Sequence, residues 1–352
     1  MTLENPNPQT RFPQAVAPLL VGDDRYVMMD IGARDGILPT LAPLADLASF
    51  IGFEPDIAEC ERLNAHYRQT GGAAVRIFPH ALAGQAGVQR FYITRFPHSS
   101  GLLQGREAWT RRFPWTNMDV EREIDIDAIT LRQFCAQEKL HHVDFIKLDV
   151  EGSEYDVVDG AREMFAPRRV LGLLTECWWD PVSKGQRSFA DLDILIRGLS
   201  LRFFDLKLHH YCRAVLPAGR LRPASKGKIA PVDRTYGQAW TGDALYFRDP
   251  VGELREGALG PLWDASMLLR LCGLLDLYDY GDCAIEILET FRATMLSGHD
   301  VDALMDALTP SFDNKVVPYG KYREVSMLVR EGENRAFRTP WEPPPTGYGK
   351  RK

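Results

Sequence analysis

The chain has 352 residues, 45% of them apolar and 26% charged, with 42 basic against 48 acidic side chains. That length and balance allow one or two domains with a sizeable core, without disulfide or metal staples. A formal charge of −6 argues against a broad nucleic-acid footprint, which needs a basic domain, and no apolar run approaches the about 20 residues that span a bilayer. The six cysteines, at 60, 135, 177, 212, 272 and 283, lack zinc-ligand spacing and read as free thiols. The first residues show no basic segment followed by an apolar one, so a cytoplasmic protein is expected.

Taken in chain order, residues 1–20 read as a loose, proline-bearing arm. Short apolar runs at 26–31 and 49–53 read as strands. Asp56 then caps a helix to about Gln69, with Ile57, Cys60 and Leu63 at helical spacing. Residues 75–78 read as a third strand, and 88–94 as an antiparallel or edge strand. Residues 97–123 are irregular and crowd Arg106, Trp109, Arg111, Arg112 and Trp115 together. Helices are expected at 130–139, 154–165 and 189–199, with strands at 143–148 and 170–175. Two late runs, 201–208 and 244–248, suit a reversed edge hairpin. Helices alternating with strands imply crossovers and a mostly parallel sheet. The fold class is therefore α/β, a doubly wound sheet over 21–257. Amphipathic helices at 263–278 and 284–295 suggest a small helical appendage over 258–332, which would cover the sheet edge, dimerise or dock a partner. Residues 333–352 are proline-rich and basic, as in a mobile tail.

Three segments carry chemistry. The first is Asp30-Ile-Gly-Ala-Arg-Asp-Gly36, directly after a strand. Its glycines allow a tight turn and a close ligand approach. It lacks the first glycine of G-x-G-x-x-G, and no Gly-Lys-Ser/Thr follows. The turn suits a cofactor with an amino-acid end; the alternative is an ordinary strand-to-helix turn. Glu54 ends the next strand, 24 residues on. A carboxylate near that distance accepts ribose hydroxyls in doubly wound sheets, though it also suits a helix N-terminus. The third segment places Lys147, Asp149 and Glu151 on one face of a strand end. Gathering these charges is costly unless they pair or bind something. They form either an ion pair beside a Glu154 cap or part of a reacting centre.

In this order the segments resemble the FkbM family of S-adenosylmethionine-dependent methyltransferases. The resemblance runs over about 26–177. It is carried by DIGARDG (30–36), GFEPD (52–56), PHALAG (79–84), SSGLL (99–103), IKLDVEGSE (146–154) and TEC (175–177). It implies a seven-stranded Rossmann-like methyltransferase fold and S-adenosylmethionine as cofactor. Asp30, Gly32, Ala33, Arg34 and Gly36 would line the methionine end. Glu54 and Pro55 would meet the ribose, and His80, Ala81 and Leu82 the adenine. Asp149 and Glu151 would face the methyl group and its acceptor. The family's usual turn has Asn where this chain has Arg34.

The implied reaction moves a methyl group onto a hydroxyl of a carbohydrate, glycolipid or secondary metabolite. Asp149 is the first expected general base and Glu151 the second, with Lys147 orienting the pair. A divalent cation bridging Asp149 and Glu176 is a further arrangement left open. One of His209 and His210 is an alternative base, Trp178 and Trp179 a floor for the acceptor, and the arginine–tryptophan segment a lid. A nicotinamide-dependent dehydrogenase and a non-catalytic cofactor-fold module are the competing readings. The expected partners are a small-molecule or glycan acceptor and a second copy of the chain.

Overall fold

A central sheet of seven strands organises the computed structural model, which describes residues 10–20, 25–70, 74–113, 118–165, 170–217, 221–223, 225–231, 237–259, 263–312 and 315–330. The strands are β1 (Tyr26–Ile31), β2 (Ala48–Phe53), β3 (Ala74–Phe78), β4 (Val143–Leu148), β5 (Val170–Trp178), β6 (Leu201–Tyr211) and β7 (Gln238–Arg248). Their spatial order is β3-β2-β1-β4-β5-β7-β6. The pairings from β3 through β5 are parallel. β7 runs antiparallel to both β5 and β6, so the reversed late pair expected from sequence has β7 inside the sheet and β6 at its edge.

Side chains alternate across the strands, as a period of two requires. Met28, Phe50, Phe145, Leu245 and Phe247 enter one core, while Met29, Ile51, Ile146 and Tyr246 enter the other. The main helices are α1 (Phe12–Val16), α2 (Ile57–Thr70), α3 (Leu131–Gln137), α4 (Glu154–Gly160), α5 (Phe189–Gly198), α6 (Ala265–Leu277), α7 (Gly281–Phe291) and α8 (Val301–Leu308). α3, α4 and α5 cover the second face. Thr130 and Ser188 start α3 and α5 with reciprocal capping boxes, each satisfying two backbone donors. The helix expected over 154–165 breaks at Ala161 into α4 and a short turn, Arg162–Phe165.

The C-terminal helices expected from the sequence lie on the first face. α6 packs against β5, α7 against α6, and α8 against α7 and α1. They share the hydrophobic core of that sheet face. Residues 268–277 of α6 are all buried, so this helix is enclosed on every side. Arg270 of α6 reaches Asp144 of β4 at 2.7 Å, and Asp144 also accepts from the Val27 backbone N–H at 2.8 Å. Burial would raise the Asp144 carboxyl, but Arg270 and His142 outweigh it and hold it below its usual range. Residues 10–20, expected to be loose, are tied in as well. Asp276 accepts from Thr10 Oγ1 (2.6 Å) and from the Arg11 and Phe12 backbone N–H groups (3.1 Å each). Phe12 and Val16 are fully buried, each contributing roughly 1.5–3 kcal/mol of burial energy. The expected tail, 333–352, lies outside the described residues.

Candidate active site

The strand order reverses direction at β1, between β2 and β4, and a cleft opens at the carboxyl ends of those strands, where α/β sheets hold their ligands. Its volume is about 840 Å³. Asp30, next to last in β1, has 2% of its surface exposed. Its Oδ2 accepts from the Leu38 N–H at 2.8 Å, and its Oδ1 lies 3.3 Å from Lys147 Nζ. Lys147 also approaches Asp149 Oδ2 at 3.4 Å and donates to the Gly32 carbonyl at 3.1 Å. Burial raises the Asp30 carboxyl despite that cation. For Lys147, burial works against the charge, yet Asp30 and Asp149 outweigh it and hold the ammonium protonated far into the alkaline range.

The turn after Asp30 requires glycine. Gly32 has φ +89, and a Cβ there would sit 1.9 Å from the Asp149 carbonyl oxygen. Gly36 has φ +96 and lies against the Tyr67 hydroxyl. The glycine turn and the end of β4 thus touch backbone to backbone, leaving the cleft open above them. Ala33 departs from the expectation. It is not among the cleft-lining residues, and it packs instead with Cys60, Leu63 and Ile77 beneath α2.

Glu54 is also buried, and burial raises its carboxyl. It accepts from the Asp56 N–H at 2.8 Å and lies 3.6 Å from Arg34 Nη1, both at Oε1. Arg34 also reaches Asp56 at 3.3 Å, so the cation that replaces the family's Asn is engaged by two carboxylates. Pro55, His80, Ala81 and Leu82 line the same cleft. On the opposite wall the sequence reading had the strand at 88–94 and missed the one at 120–129. Residues 81–82, 87–94 and 120–129 form a separate three-stranded sheet that presents Phe91, Ile93, Arg122, Ile124 and Ile126 to the cleft. The alternation in Glu123-Ile-Asp-Ile-Asp127 is the strand signal that would have found it. Gly101 bridges to Tyr92 and seats against Val150 and Glu151, which gives the glycine after Ser99-Ser100 a packing reason.

Beyond Asp149 the carboxylates gather. Glu151 lines the cleft in a left-handed conformation, φ +58. Glu154 is buried, and its Oε1 accepts from the Val150 and Gly152 N–H groups at 3.0 Å each. Glu176 accepts from Trp178 Nε1 at 2.9 Å. Burial and mutual repulsion push Glu151 and Glu176 well above the carboxylate range, and burial pushes Glu154 to about 7. Asp149, Glu154 and Glu176 each offer an oxygen, all within 4.8 Å of one another. A hard divalent cation would fit that spacing.

The remaining candidates lie further out. His209 pairs with Asp243 at 3.0 Å, on the sheet edge beyond Glu176. His210 is not among the cleft-lining residues either. Trp179 stacks on Phe189 at 5.5 Å. Trp178 joins Phe113, Val182 and Trp240 in a small aromatic core. Arg106 and Arg112 lie over Trp109 at 5.4 and 4.8 Å. The expected lid is therefore an aromatic cluster beside the acidic one. Trp115 lies outside the described residues.

A seven-stranded doubly wound sheet with one reversed strand, and a cleft at its switch point, is the Rossmann-like methyltransferase fold. Residues 30–203 match the profile of the methyltransferase FkbM domain. That region carries a methyltransferase FkbM domain, which supports S-adenosylmethionine-dependent methylation over the dehydrogenase alternative. The chain is 25% identical to the 2-O-methyltransferase NoeI of Sinorhizobium fredii over 178 residues, 48% of this chain and 70% of NoeI. Among solved structures it aligns with the magnesium protoporphyrin IX methyltransferase of Synechocystis PCC 6803. That alignment has 11% identity, covers 67% and 77% of the two chains and gives a TM-score of 0.32. Alignment with YcgJ of Bacillus subtilis has 10% identity, covers 67% and 97% and gives a TM-score of 0.31. No helix among the described residues is long and apolar enough to cross a membrane.

Proposed function

We propose that this methyltransferase acts on oxygen, on a hydroxyl of a carbohydrate, glycolipid or secondary metabolite. The observation that carries the reading is the convergence of Asp30, Glu54, Lys147 and Asp149 on one cleft. The likeness to a 2-O-methyltransferase supports the same acceptor chemistry.

In this reading Asp30 and the Gly32–Gly36 turn receive the amino-acid end of the cofactor, Glu54 its ribose, and His80, Ala81 and Leu82 its adenine. The close backbone approach at Gly32 and two buried carboxylates suit a cationic, hydroxyl-bearing ligand. When bound, S-adenosylmethionine supplies an electrophilic methyl group. The chain's own work is to hold the acceptor hydroxyl in line, worth about 7–11 kcal/mol of the barrier, and to remove its proton. Asp149, oriented by Lys147, takes that proton, and Glu151 is the second candidate base. Such base catalysis contributes about 10²–10⁴-fold.

The test is calorimetric titration with S-adenosylhomocysteine, followed by turnover on a panel of hydroxyl-bearing glycans and metabolites. The expected outcome is cofactor binding by wild type and by Asp149→Asn, with turnover reduced by about 10²–10⁴-fold only in the variant. Absence of cofactor binding by the folded protein, or full turnover by Asp149→Asn, refutes the assignment.

A further inference from the structure

The segment joining β6 to β7 has a character unlike the rest of the chain. Residues 212–234 carry six lysines and arginines against one aspartate, in a chain of formal charge −6. Two short strands in it, Leu221–Pro223 and Ile229–Pro231, pair antiparallel, with Leu221 opposite Pro231 and Pro223 opposite Ile229. Leu221 and Ile229 therefore fall on one face of the ribbon. Neither is covered, with 53% and 69% of their surfaces exposed, and Val215 and Leu216 just before them are 93% and 56% exposed. Lys226 and Lys228 are exposed at the connecting turn. A lone exposed aliphatic side chain is ordinary. Four on one segment, with lysines between them, mark an interaction surface.

The ribbon's position adds meaning. β6 runs parallel to β5 through their shared antiparallel partner, so Tyr211 stands at the end of the sheet that holds the cleft. The base of the segment is anchored there. The Ala214 N–H donates to the Arg112 carbonyl at 2.8 Å, and Arg213 lies over Phe113 at 4.5 Å and Trp240 at 5.1 Å. The adjoining Arg111 and Arg112 are exposed as well.

We propose that this ribbon docks the protein on an anionic lipid surface, with the cleft end of the sheet turned toward the bilayer. Val215, Leu216, Leu221 and Ile229 enter the boundary between headgroups and acyl chains, and Lys226 and Lys228 meet lipid phosphates. A nucleic acid or an acidic protein would engage the lysines but leave four aliphatic side chains in water. A bilayer uses both. The proposal does not depend on which acceptor the enzyme methylates.

The test is co-sedimentation of the full-length protein with vesicles of phosphatidylcholine alone and with about 30 mol% phosphatidylglycerol added. Two variants, Lys226→Glu/Lys228→Glu and Val215→Asp/Ile229→Asp, are compared at equal thermal midpoint. The expected result is at least about tenfold stronger partition onto the anionic vesicles, lost in high salt and lowered about tenfold or more by either variant. Equal or absent partition onto the two vesicle types overturns the proposal. So does a lysine effect without an effect of Val215→Asp/Ile229→Asp, which would mean charge adsorption alone. A concentration-dependent dimer dissolved by Val215→Asp/Ile229→Asp, without vesicle binding, assigns the surface to a second copy and also overturns it.

Discussion

Replacing Lys147 with methionine probes the centre of the proposed site. The substitution keeps the length of the side chain and removes its charge. Two carboxylates then lose their partner. The Asp30 limb is buried at both ends, with side-chain exposures of 2% and 15%, and removing one member of such a pair costs about 3–5 kcal/mol. The Asp149 limb is 40% exposed on the acid side and adds only about 0–1 kcal/mol. The variant can limit the loss by protonating Asp30, whose carboxyl burial already raises. That sets the sign of the pH dependence. A carboxyl with a raised folded pKa contributes most in acid, below its unfolded value of about 3.9, and loses that contribution as pH rises through the folded value. The stability gap between wild type and Lys147→Met is therefore small near pH 4 to 5 and widens toward pH 8. Because a neutral Asp30 no longer attracts a cationic ligand, S-adenosylhomocysteine affinity falls about tenfold or more at neutral pH. Denaturant melts and calorimetric titrations across that range measure both effects. A gap that stays constant with pH, with unchanged affinity, refutes the pairing argument.

Other substitutions separate the parts of the site. Gly32→Ala forces a Cβ against the Asp149 carbonyl and a left-handed backbone on alanine, so it destabilises by about 1–3 kcal/mol or more and weakens cofactor binding; a melt and a titration indistinguishable from wild type would sink this. Glu54→Gln keeps the fold but removes the charge facing the cleft, lowering S-adenosylhomocysteine affinity by about tenfold, the loss expected where a charged hydrogen bond becomes neutral. Arg270→Ala removes the buried cation from Asp144, leaving it only His142 and the Val27 N–H, and costs about 3–5 kcal/mol. Its loss is largest above the unfolded carboxylate pKa and shrinks in acid, because Asp144's depressed pKa contributes stability only where the group is ionised; denaturant midpoints at two pH values check it.

The parallel strands were legible because each is a short apolar run bounded by turn residues, and the motif acids stand at their ends. Asp30, Glu54, Lys147, Asp149 and Glu151 line the cleft, as their strand-end positions suggested. The strand of the opposite wall from 120 to 129 was not legible. Its alternation is carried by Ile124 and Ile126 among charged neighbours, and both are only half-buried. Ala33 was misplaced because a motif records neighbours in sequence, while the side-chain direction depends on the turn. Glu154 was read as a cap, yet its carboxylate binds backbone groups in the turn before its own helix. The C-terminal helices were legible, but not the surface that they cover. Periodicity marks a helix as buried on one side but does not say which surface it covers. Nothing local in residues 10–20 announces that Asp276 will hold them.

The closure of one sheet face by the last helices of the fold, locked by Asp276 to residues near the start, bears on how the protein is made. During synthesis the strands emerge first, with Met28, Phe50, Phe145 and Phe247 bare on one side. Their cover, residues 265–308, is made after all seven strands. Maturation is therefore a late event that joins distant parts of the polypeptide, slowed by the entropy of closing so long a loop. Until then the nascent chain exposes an aliphatic and aromatic surface of the kind that chaperones bind.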